Sequence, residues 1–292
     1  MEEQKNDMNI QWYPGHMTKT RRMMEEDLKL VDAVCEILDA RIPISSRNPD
    51  IDAICGKKPR MVILNRIDMA DADLVSRWSN YFKDRGMAVI RTDCKSRKGI
   101  NTFAPAVRQL LAEKLQRYAE KGQVGRPLKL MVVGIPNVGK STFINQIAGR
   151  KGAKAENRPG VTRGKQWVNV DGGLLLLDTP GILWPKFDDP EVGMRLAYTG
   201  AVKDDILDTE TLGCHLMELL AREYPQALVE RYKIEIPTKI DGWELLQAAG
   251  RKRGFLISGG EVDTERMARV LLDEYRSCKL GTFTLERPEE LA

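Results

Sequence analysis

The sequence predicts an α/β protein in which a mostly parallel sheet is followed by an all-helical segment. Short apolar runs alternate with helical stretches through residues 1–185, and such runs are typical of strands buried in a parallel sheet. Strands separated by helices indicate a doubly wound arrangement. After Pro185 the strand signal fades and helical spacing remains. We therefore expect two domains, residues 1–185 and residues 186–292.

The predicted strands follow one another along the first domain. They are Val34–Asp39, Met61–Asn65, Ala88–Thr92, Leu130–Gly134 and Leu174–Asp178. Just before the last of these, residues 166–171 alternate between polar and apolar side chains and run into Gly172 and Gly173. That pattern is typical of a hairpin, so we expect an antiparallel pair at one edge of the sheet.

Helical periodicity dominates the second domain. Its apolar side chains recur at helical spacing in four segments, Glu191–Ala201, Thr209–Glu223, Trp243–Gly250 and Asp263–Cys278. We predict a helix in each of them. The second domain is therefore expected to be all-α.

Composition places the chain among ordinary globular proteins. It has 292 residues, 42% of them hydrophobic and 30% charged, and no apolar run approaches the roughly 20 residues that a membrane-spanning helix needs. Residues 1–9 are acidic and polar, unlike a secretion signal or an organelle transit peptide. The five cysteines are scattered without metal-ligand spacing. We expect a cytoplasmic protein that contacts no membrane.

Charge is distributed unevenly between the two predicted domains. Residues 1–185 contain 31 Lys and Arg against 21 Asp and Glu, whereas residues 186–292 contain 15 against 21. A polyanionic partner is therefore more plausible for the first domain than for the second. A solvated surface would tolerate the same excess of positive charge.

The strongest local motif is a phosphate-binding loop, the P-loop, at Gly134–Ser141. It has the pattern Gly-x-x-x-x-Gly-Lys-Ser and stands between a predicted strand and a helical stretch. Backbone amides of such a loop turn toward a β-phosphate, Lys140 neutralises the β and γ oxygens, and the Ser141 hydroxyl can ligate Mg²⁺. The other predicted phosphate contacts are Asn137, Val138, Gly139 and Thr142.

Two further segments fit a nucleotide with a γ-phosphate. Asp178-Thr-Pro-Gly181 closes a predicted strand after the P-loop, so Asp178 would hold Mg²⁺ through water and the Gly181 amide would meet the γ-phosphate. Alone, this tetrapeptide is a common turn. Between the two motifs, Thr162 lies in a polar and basic segment typical of a switch, and we predict that it is a second hydroxyl ligand of Mg²⁺.

Residues 65–68, Asn-Arg-Ile-Asp, indicate which base is bound. They resemble the Asn-Lys-x-Asp element that GTPases use for guanine. A carboxylate at Asp68 accepts the N1 and N2 hydrogens of guanine, whereas adenine presents a bare N1 acceptor. Arg66 replaces the usual Lys, and its aliphatic stem can also cover the base. Asn65, Arg66 and Asp68 are thus predicted to bind GTP or GDP, backed by a loop of Asp93, Cys94 and Lys95.

These motifs occur in a permuted order. The base motif and base loop precede the P-loop, switch I and switch II, whereas the common GTPase order begins with the P-loop. A permuted sheet can keep the same site when the original chain ends lie close together. In this order, switch II leads directly into the helical domain, so nucleotide state could move that domain.

The chain resembles the YlqF and RbgA family of bacterial ribosome biogenesis GTPases. The resemblance rests on the permuted motifs and on Gln11–Met17, Asp39–Pro43, Ser45–Pro49 and Gly181–Pro185. It implies a three-layer P-loop NTPase domain, Ras-like and circularly permuted, with an all-helical domain that contacts ribosomal RNA. It also implies GTP hydrolysis that is stimulated by the large (50S) ribosomal subunit during its late assembly. We expect the protein to be a monomer.

The catalytic group is not obvious from the motifs. Ras-like proteins orient the attacking water with a Gln after the switch II glycine, but residue 182 is Ile. We predict that Lys140 is catalytic, and the family resemblance implies a catalytic role for His16 as well. Alternatively, His16 contacts RNA or caps the following helix. In related GTPases, an Asn at the position of Asn137 ligates a K⁺ ion near the phosphates, which predicts potassium activation here.

Basic clusters are the candidate RNA contacts. They are Lys19, Arg21, Arg22, Arg150, Lys151, Lys154, Arg158, Arg163, Lys165 and Arg251–Arg253. Phosphate contacts require such clusters, although most charged runs are simply solvated. Because the second domain is net acidic, a contact of parts of it with ribosomal proteins also remains open. Two other functions remain open on the sequence: a metabolic P-loop kinase or ATPase, and an RNA-binding assembly factor in which GTP is mainly structural.

Overall fold

The chain forms two compact units. The computed structural model describes residues 17–149, 166–170, 172–179, 189–202 and 208–291, and for residues 17–21 it describes only the backbone. Within those ranges, one unit consists of residues 17–179 together with residues 284–291. The other unit consists of residues 189–283. The structure thus places residues 284–291 with the first unit, whereas the sequence led us to expect them in the second.

The first unit is built on a six-stranded sheet. Its strands are β1 (Ala33–Asp39), β2 (Arg60–Asn65), β3 (Ala88–Thr92), β4 (Leu128–Val133), β5 (Gln166–Val170) and β6 (Leu174–Asp178). They are arranged in the order β3-β2-β1-β4-β6-β5, and every neighbouring pair is parallel except β5 and β6. The predicted parallel sheet and its antiparallel hairpin at one edge are confirmed.

Both faces of the sheet are covered by helices. The helices of this unit are α1 (Met17–Leu28), α2 (Ile51–Cys55), α3 (Ala72–Asp84), α4 (Phe103–Leu110), α5 (Ala112–Glu120) and α6 (Lys140–Ala148). Every residue of β1 is buried, as expected for a strand sandwiched between two helical layers. On one face, α1 and α2 pack in one apolar core and Trp78 and Phe82 of α3 in a second, and these cores contain Val34 and Leu38 of β1, which point to the same side of the sheet. On the other face, Cys35 and Ile37 of β1 are also buried, and α4 contacts β2 and β3. The expected three-layer architecture is confirmed.

The strand register brings the ends of five strands to one edge. Asp39 pairs with Asn65 and Asn65 with Thr92, so β1, β2 and β3 end side by side. On the other side of β1, strand β4 ends at Val133 and pairs with β6 near Asp178. Because ligands of open α/β sheets bind outside the carboxyl ends of the strands, this edge is the place to look for a site.

Strand order also explains the permuted motifs. The strand before the P-loop, β4, lies between β1, which comes earlier in the chain, and β6, which comes later. The sheet therefore places both the early and the late motifs beside the P-loop. The order of the motifs along the chain differs from the common GTPase order, whereas the motifs still lie beside one another in the sheet.

The second unit is all-α in its described residues. Its helices are α7 (Pro190–Tyr198), α8 (Thr209–Glu223), α9 (Pro225–Tyr232), α10 (Gly242–Lys252) and α11 (Thr264–Arg276). Four of the five were predicted. Helices α7, α8, α10 and α11 are each preceded by an Asp whose carboxylate accepts a backbone N–H of the first turn, and such caps fix where a helix begins. Helix α9 was not predicted from the sequence; it starts at Pro225, after a single residue beyond the end of α8.

Small residues allow the helices of this unit to approach closely. A Cβ atom at Gly213 of α8 would lie 2.4 Å from the Cβ of Ala268 on α11. Separately, Gly242 at the start of α10 lies against the backbone of Cys214. The bundle therefore depends on glycine at these two contacts.

A buried carboxylate ties three segments of the second unit together. Glu274 of α11 accepts hydrogen bonds from Arg231 (3.0 Å), from the Tyr232 hydroxyl (2.9 Å) and from Arg253 (3.0 Å). Burial alone would raise the pKa of Glu274, but hydrogen bonds from Arg231 and Tyr232 and the nearby positive charges outweigh it and lower that pKa. The network thus stabilises the ionised form.

Replacing Glu274 with Gln should destabilise the second unit by about 2 kcal/mol, because two arginines lose their buried counter-ion. Chemical denaturation at pH 7 measures the loss. A lowered folded-state pKa means that this stabilisation is present above the ordinary pKa of glutamate and is lost as the pH falls through the folded-state value. The control is Glu265→Gln, which removes an exposed pair with Arg269 and should change stability by under about 0.5 kcal/mol. Equal effects of both variants would contradict the assignment.

The remaining sequence expectations concern cysteines and membranes. The five cysteines, each of which lies in the described residues, are free thiols. Among the described helices, we find none that is both long and apolar enough to cross a membrane.

Candidate functional site

The P-loop connects β4 to α6 at the carboxyl edge of the sheet. Asn137 and Gly139 both adopt positive φ values, 61° and 101°, and Gly139 is the N-cap residue that precedes α6. The Phe143 amide donates to the Gly139 carbonyl at 2.8 Å, which closes the first turn of α6. Unpaired amides at a helix N-terminus attract anions, so this loop has the backbone form of a phosphate site.

Asn65 holds the P-loop against the end of β2. Its side-chain amide donates to the Val138 carbonyl at 2.8 Å, and a Cβ atom at Gly139 would lie only 2.4 Å from the Asn65 Nδ2 atom. Glycine at position 139 is therefore required twice, for its backbone conformation and for this close approach.

The same Asn65 side chain also holds the predicted base loop. Its Oδ1 atom accepts hydrogen bonds from the Thr92 hydroxyl and the Cys94 amide, both at 3.2 Å. Asn65 is buried, so its donor and acceptor are committed to these partners. One side chain thus joins the base motif, the base loop and the P-loop.

Arg66 bridges two parts of this edge. It has a φ of 62°, and its Nη2 atom donates to the Asn137 carbonyl at 2.5 Å. Its Nη1 atom lies 3.7 Å from the Asp39 carboxylate. The Arg that replaces the usual Lys is therefore fixed between the P-loop and the end of β1.

Asp39 and Arg41 form a buried ion pair next to Arg66. Arg41 donates to both carboxylate oxygens of Asp39, at 2.9 and 2.7 Å, and both side chains are nearly inaccessible to solvent. Burial would raise the pKa of Asp39, but the charge and hydrogen bonds of Arg41 outweigh it and lower that pKa. From the sequence, both residues were expected only as part of the family resemblance, with Asp39 also ending a predicted strand. The sequence feature that could have indicated this ion pair is a charged residue, Asp39, at the end of a buried strand.

Asp68 and Asp93 bring two carboxylates to the predicted base site. Asp68 is exposed, and desolvation followed by the negative charge of Asp93 raises the pKa of Asp68. Asp93 accepts a hydrogen bond from the Lys95 amide at 2.8 Å. The base loop is tight, because a Cβ at Gly99 would lie 2.0 Å from the Arg91 carbonyl oxygen.

Lys140 and Asp178 meet on the other side of the P-loop. The Lys140 ammonium donates to the Asp178 carboxylate; Lys140 is buried and Asp178 partly so. The adjacent Thr179 hydroxyl donates to the Val132 carbonyl at 2.7 Å, which anchors the end of β6 to β4. The structure thus brings together the predicted phosphate cation and the predicted metal-side carboxylate.

The remaining predicted residues are either exposed or lie outside the residues that the structure describes. Ser141 and Thr142 are exposed in the first turn of α6, whereas His16, Thr162 and Gly181 lie outside the described residues. Of the candidate RNA contacts, the basic residues between 150 and 165 also lie outside them. Arg251 and Lys252 are exposed.

Comparison with known proteins decides the family. Residues 129–233 match the family model described as 50S ribosome-binding GTPase. Ribosome biogenesis GTPase A of Priestia megaterium is 48% identical over 285 residues, which cover 97% of this chain and 98% of that protein. The chain belongs to the ribosome biogenesis GTPase A family. As a member, it binds and hydrolyses GTP and takes part in ribosome biogenesis.

Solved structures of similar fold agree with this assignment. The GDP-bound structure of TM YlqF has a TM-score of 0.66 at 27% identity and covers 92% of this chain and 100% of that chain. The GNP-bound YlqF from T. maritima has a TM-score of 0.63 at 26% identity, with 93% and 99% covered. GTPases of the ribosome biogenesis GTPase A family generally use Mg²⁺.

Gly139→Ala should weaken GDP binding by about 100-fold, since the new Cβ collides with Asn65 and the backbone becomes strained. Titration with fluorescent GDP measures the dissociation constant. Gly149→Ala is the matched control, because Gly149 also has a positive φ, 64°, but no atom of the described residues lies within 4 Å of the place that its Cβ atom would take. Similar affinities of the two variants would show that the contact with Asn65 does not matter.

Proposed function

We propose that this protein binds the assembling large (50S) ribosomal subunit and couples GTP hydrolysis to a late maturation step and to its own release. The observation that carries the proposal is the junction at Asn65, which joins a guanine-type motif to a P-loop in a chain whose family model is described as 50S ribosome-binding GTPase. In this scheme, GTP acts as a timer for residence on the particle. The protein acts as a monomer in the cytoplasm.

GTP binds across the carboxyl edge of the sheet. The Asp68 carboxylate accepts the N1 and N2 hydrogens of guanine, and the stem of Arg66 covers the base. The loop of Asp93, Cys94 and Lys95 backs the base. At the other end of the nucleotide, P-loop amides and Lys140 hold the phosphates, together with the exposed Thr142 at the start of α6.

The residues present suit Mg²⁺. This ion prefers oxygen ligands and usually takes few of them from protein, with phosphate and water completing its shell. The Ser141 hydroxyl and the Asp178 carboxylate supply such ligands close to Lys140, because Lys140 directly precedes Ser141 in the chain and contacts Asp178. Thr162 supplies a second hydroxyl, and Asp178 acts through water. Bound Mg²⁺ would neutralise charge on the β and γ phosphates.

Hydrolysis requires a group that orients water, and we assign it to His16. The residue after the switch II glycine is Ile182, whose aliphatic side chain cannot take this role. An imidazole can position water and exchange a proton near neutral pH. The ribosomal particle completes this arrangement, which explains why the free protein would turn over slowly.

Release of the protein follows from chain connectivity. Asp178 closes β6, and residue 181, the switch II glycine, is followed directly by the segment that leads to the all-α unit. Loss of the γ-phosphate frees the Gly181 amide. The change is passed to the all-α unit, which holds the particle through ribosomal RNA.

Hydrolysis assays with purified particles test the proposal. We expect large subunits to stimulate GTP turnover of the parent protein by at least about tenfold, and small subunits to have no comparable effect. His16→Ala should lose most of the stimulated rate and keep its affinity for GDP. Absence of stimulation by large subunits would overturn the proposal, and full stimulation of the variant would remove His16 from catalysis.

A second function is favoured by the missing water-positioning glutamine. With Ile182 in place, GTP could be mainly structural in an RNA-binding assembly factor. Binding of the protein to large subunits separates the two functions. The switch predicts release on hydrolysis, whereas the structural function predicts equal binding with GTP, GDP and a non-hydrolysable analogue.

Asn137 extends the proposal to a monovalent ion. We propose that it ligates K⁺ beside the phosphates, where the ion supplies the positive charge that an arginine finger supplies elsewhere. Asn137 is exposed and sits in the P-loop with a left-handed backbone. Turnover in K⁺ should exceed turnover in Na⁺ at equal ionic strength; equal rates would remove the potassium site.

A further inference from the structure

A short segment after the all-α unit returns to the α/β unit. We call residues 284–287 the return segment; they belong to the α/β unit, whereas Phe283 still belongs to the all-α unit. Thr284, Leu285 and Glu286 are all buried. The segment is therefore part of the packed structure around the nucleotide-binding sheet.

Glu286 is the main anchor of the return segment. Its carboxylate accepts hydrogen bonds from the Ile44 amide at 2.6 Å, from the Ser45 amide at 2.9 Å and from the Ser45 hydroxyl. Its carbonyl accepts one from the Trp78 indole at 3.0 Å. Charge-assisted bonds to a buried carboxylate are strong and directional, so Glu286 fixes the loop that follows β1.

The preceding residues of the segment hold the start of that loop. The Leu285 amide donates to the Arg41 carbonyl at 2.8 Å, and the Thr284 hydroxyl donates to the Ala40 carbonyl at 3.1 Å. The Ala40 amide in turn donates to the Asn65 carbonyl at 2.9 Å. Two successive hydrogen bonds, which meet at Ala40, thus connect the return segment to Asn65 of the base motif.

A second connection runs through side chains. Arg41, whose backbone is held by Leu285, forms the buried ion pair with Asp39. Asp39 also faces Arg66 at 3.7 Å, and Arg66 donates to the Asn137 carbonyl of the P-loop. The position of Arg66 therefore depends on a loop that the return segment holds in place.

We propose that the return segment is a positioning element of the nucleotide site, in which Glu286 sets the loop of residues 40–46 and thereby the position of Arg66. The inference rests on the proposed assignment of the guanine site. The chain connects the two units at the return segment as well as after switch II. The segment after switch II leads into the all-α unit, and the return segment leads from that unit to the loop beside the base motif. A partner that pulls on the all-α unit can thus change nucleotide affinity from the base side.

Fluorescent GDP titration of the full chain tests the inference. Glu286→Gln leaves the size of the side chain unchanged but weakens its three hydrogen bonds, and we expect about tenfold weaker GDP binding, mostly through faster dissociation. The matched control is Glu289→Gln, which removes an exposed ion pair with Arg77 on the same stretch of chain. That variant should bind GDP within about twofold of the parent.

A double-mutant cycle distinguishes positioning from general stability. In an Arg66→Ala background, Glu286→Gln should change GDP affinity by much less than tenfold, because the affected side chain is already gone. If Glu286→Gln does not fold, Thr284→Val removes the hydrogen bonds of the Thr284 hydroxyl to the Ala40 carbonyl and the Asp71 amide and should weaken GDP binding by about threefold.

The outcomes separate this inference from the assignment of the site. A parent chain that does not bind GDP would contradict the proposed site itself. A parent that binds, with Glu286→Gln and Thr284→Val less stable to heat but unchanged in GDP affinity, would overturn only the positioning role. An equal loss in the Arg66→Ala background would also overturn it.

Discussion

Asp68→Asn should lower the affinity for GTP by about 10³-fold and make xanthosine triphosphate the preferred nucleotide. The carboxylate accepts two hydrogens from guanine, whereas an amide at this place offers one acceptor and one donor. Xanthine carries a hydrogen on N1 and an oxygen at position 2, which match the amide. Sites built on buried hydrogen bonds discriminate by such factors because a mismatched group stays unpaired. Competition titrations against fluorescent GDP measure both affinities.

The control for this variant is Asp73→Asn, an exposed aspartate of α3. It should leave the preference for GTP over the xanthine nucleotide unchanged. If Asp68→Asn still prefers GTP, the base is read by other residues, and the assignment of residues 65–68 as the guanine motif is wrong.

The acidity of Asp68 gives the same contact a pH signature. Desolvation and the charge of Asp93 raise the pKa of Asp68 above its ordinary value, and guanine needs the ionised carboxylate. The affinity for GDP is therefore highest when the pH is well above this raised pKa, and it falls as the pH drops through the pKa. Titrations from about pH 8 down to the ordinary pKa of aspartate, about 3.9, should show the loss in the parent, whereas Asp68→Asn should lack this component.

Lys140→Ala should reduce GTP turnover by about 10³-fold. Lys140 is the buried cation of the P-loop and contacts Asp178, so its removal takes away the charge that we propose faces the β and γ phosphates. GTP affinity should fall more than GDP affinity, because GTP carries the additional phosphate. Single-turnover hydrolysis with excess enzyme measures the chemical step apart from binding.

Lys129→Ala is the matched control, since Lys129 lies near the start of the same strand, β4, away from the P-loop, and is exposed. Its turnover should stay within about threefold of the parent. A Lys140→Ala variant that is as active as Lys129→Ala would mean that the P-loop of this chain does not act on the phosphates.

Local sequence was sufficient for much of the fold because its signals are short-range. Buried parallel strands read as apolar runs, so β1 to β4 and β6 were found with ends that differ little from those in the structure. The P-loop was predicted equally well, because its glycines allow the backbone to turn and Lys140 supplies a positive charge for the phosphates. Helix α9 was missed because the single residue between it and α8, together with Pro225, resembles the end of a helix.

Only the tertiary structure decided which residues support the site. Asn65 reaches the P-loop and the base loop at once because the parallel register of β1, β2 and β3 brings their ends together. The buried pair of Asp39 and Arg41 and its approach to Arg66 depend on the same register.

The return segment marks the limit of the sequence most clearly. Glu286 bonds to Ser45 across 241 positions of the chain, and no periodicity or short motif encodes a contact of that separation. The sequence by itself determined the elements, the motif order and the chemistry of the nucleotide. The packing of the folded chain decided that residues after the all-α unit hold the loop that follows β1, because only folding brings such distant segments together.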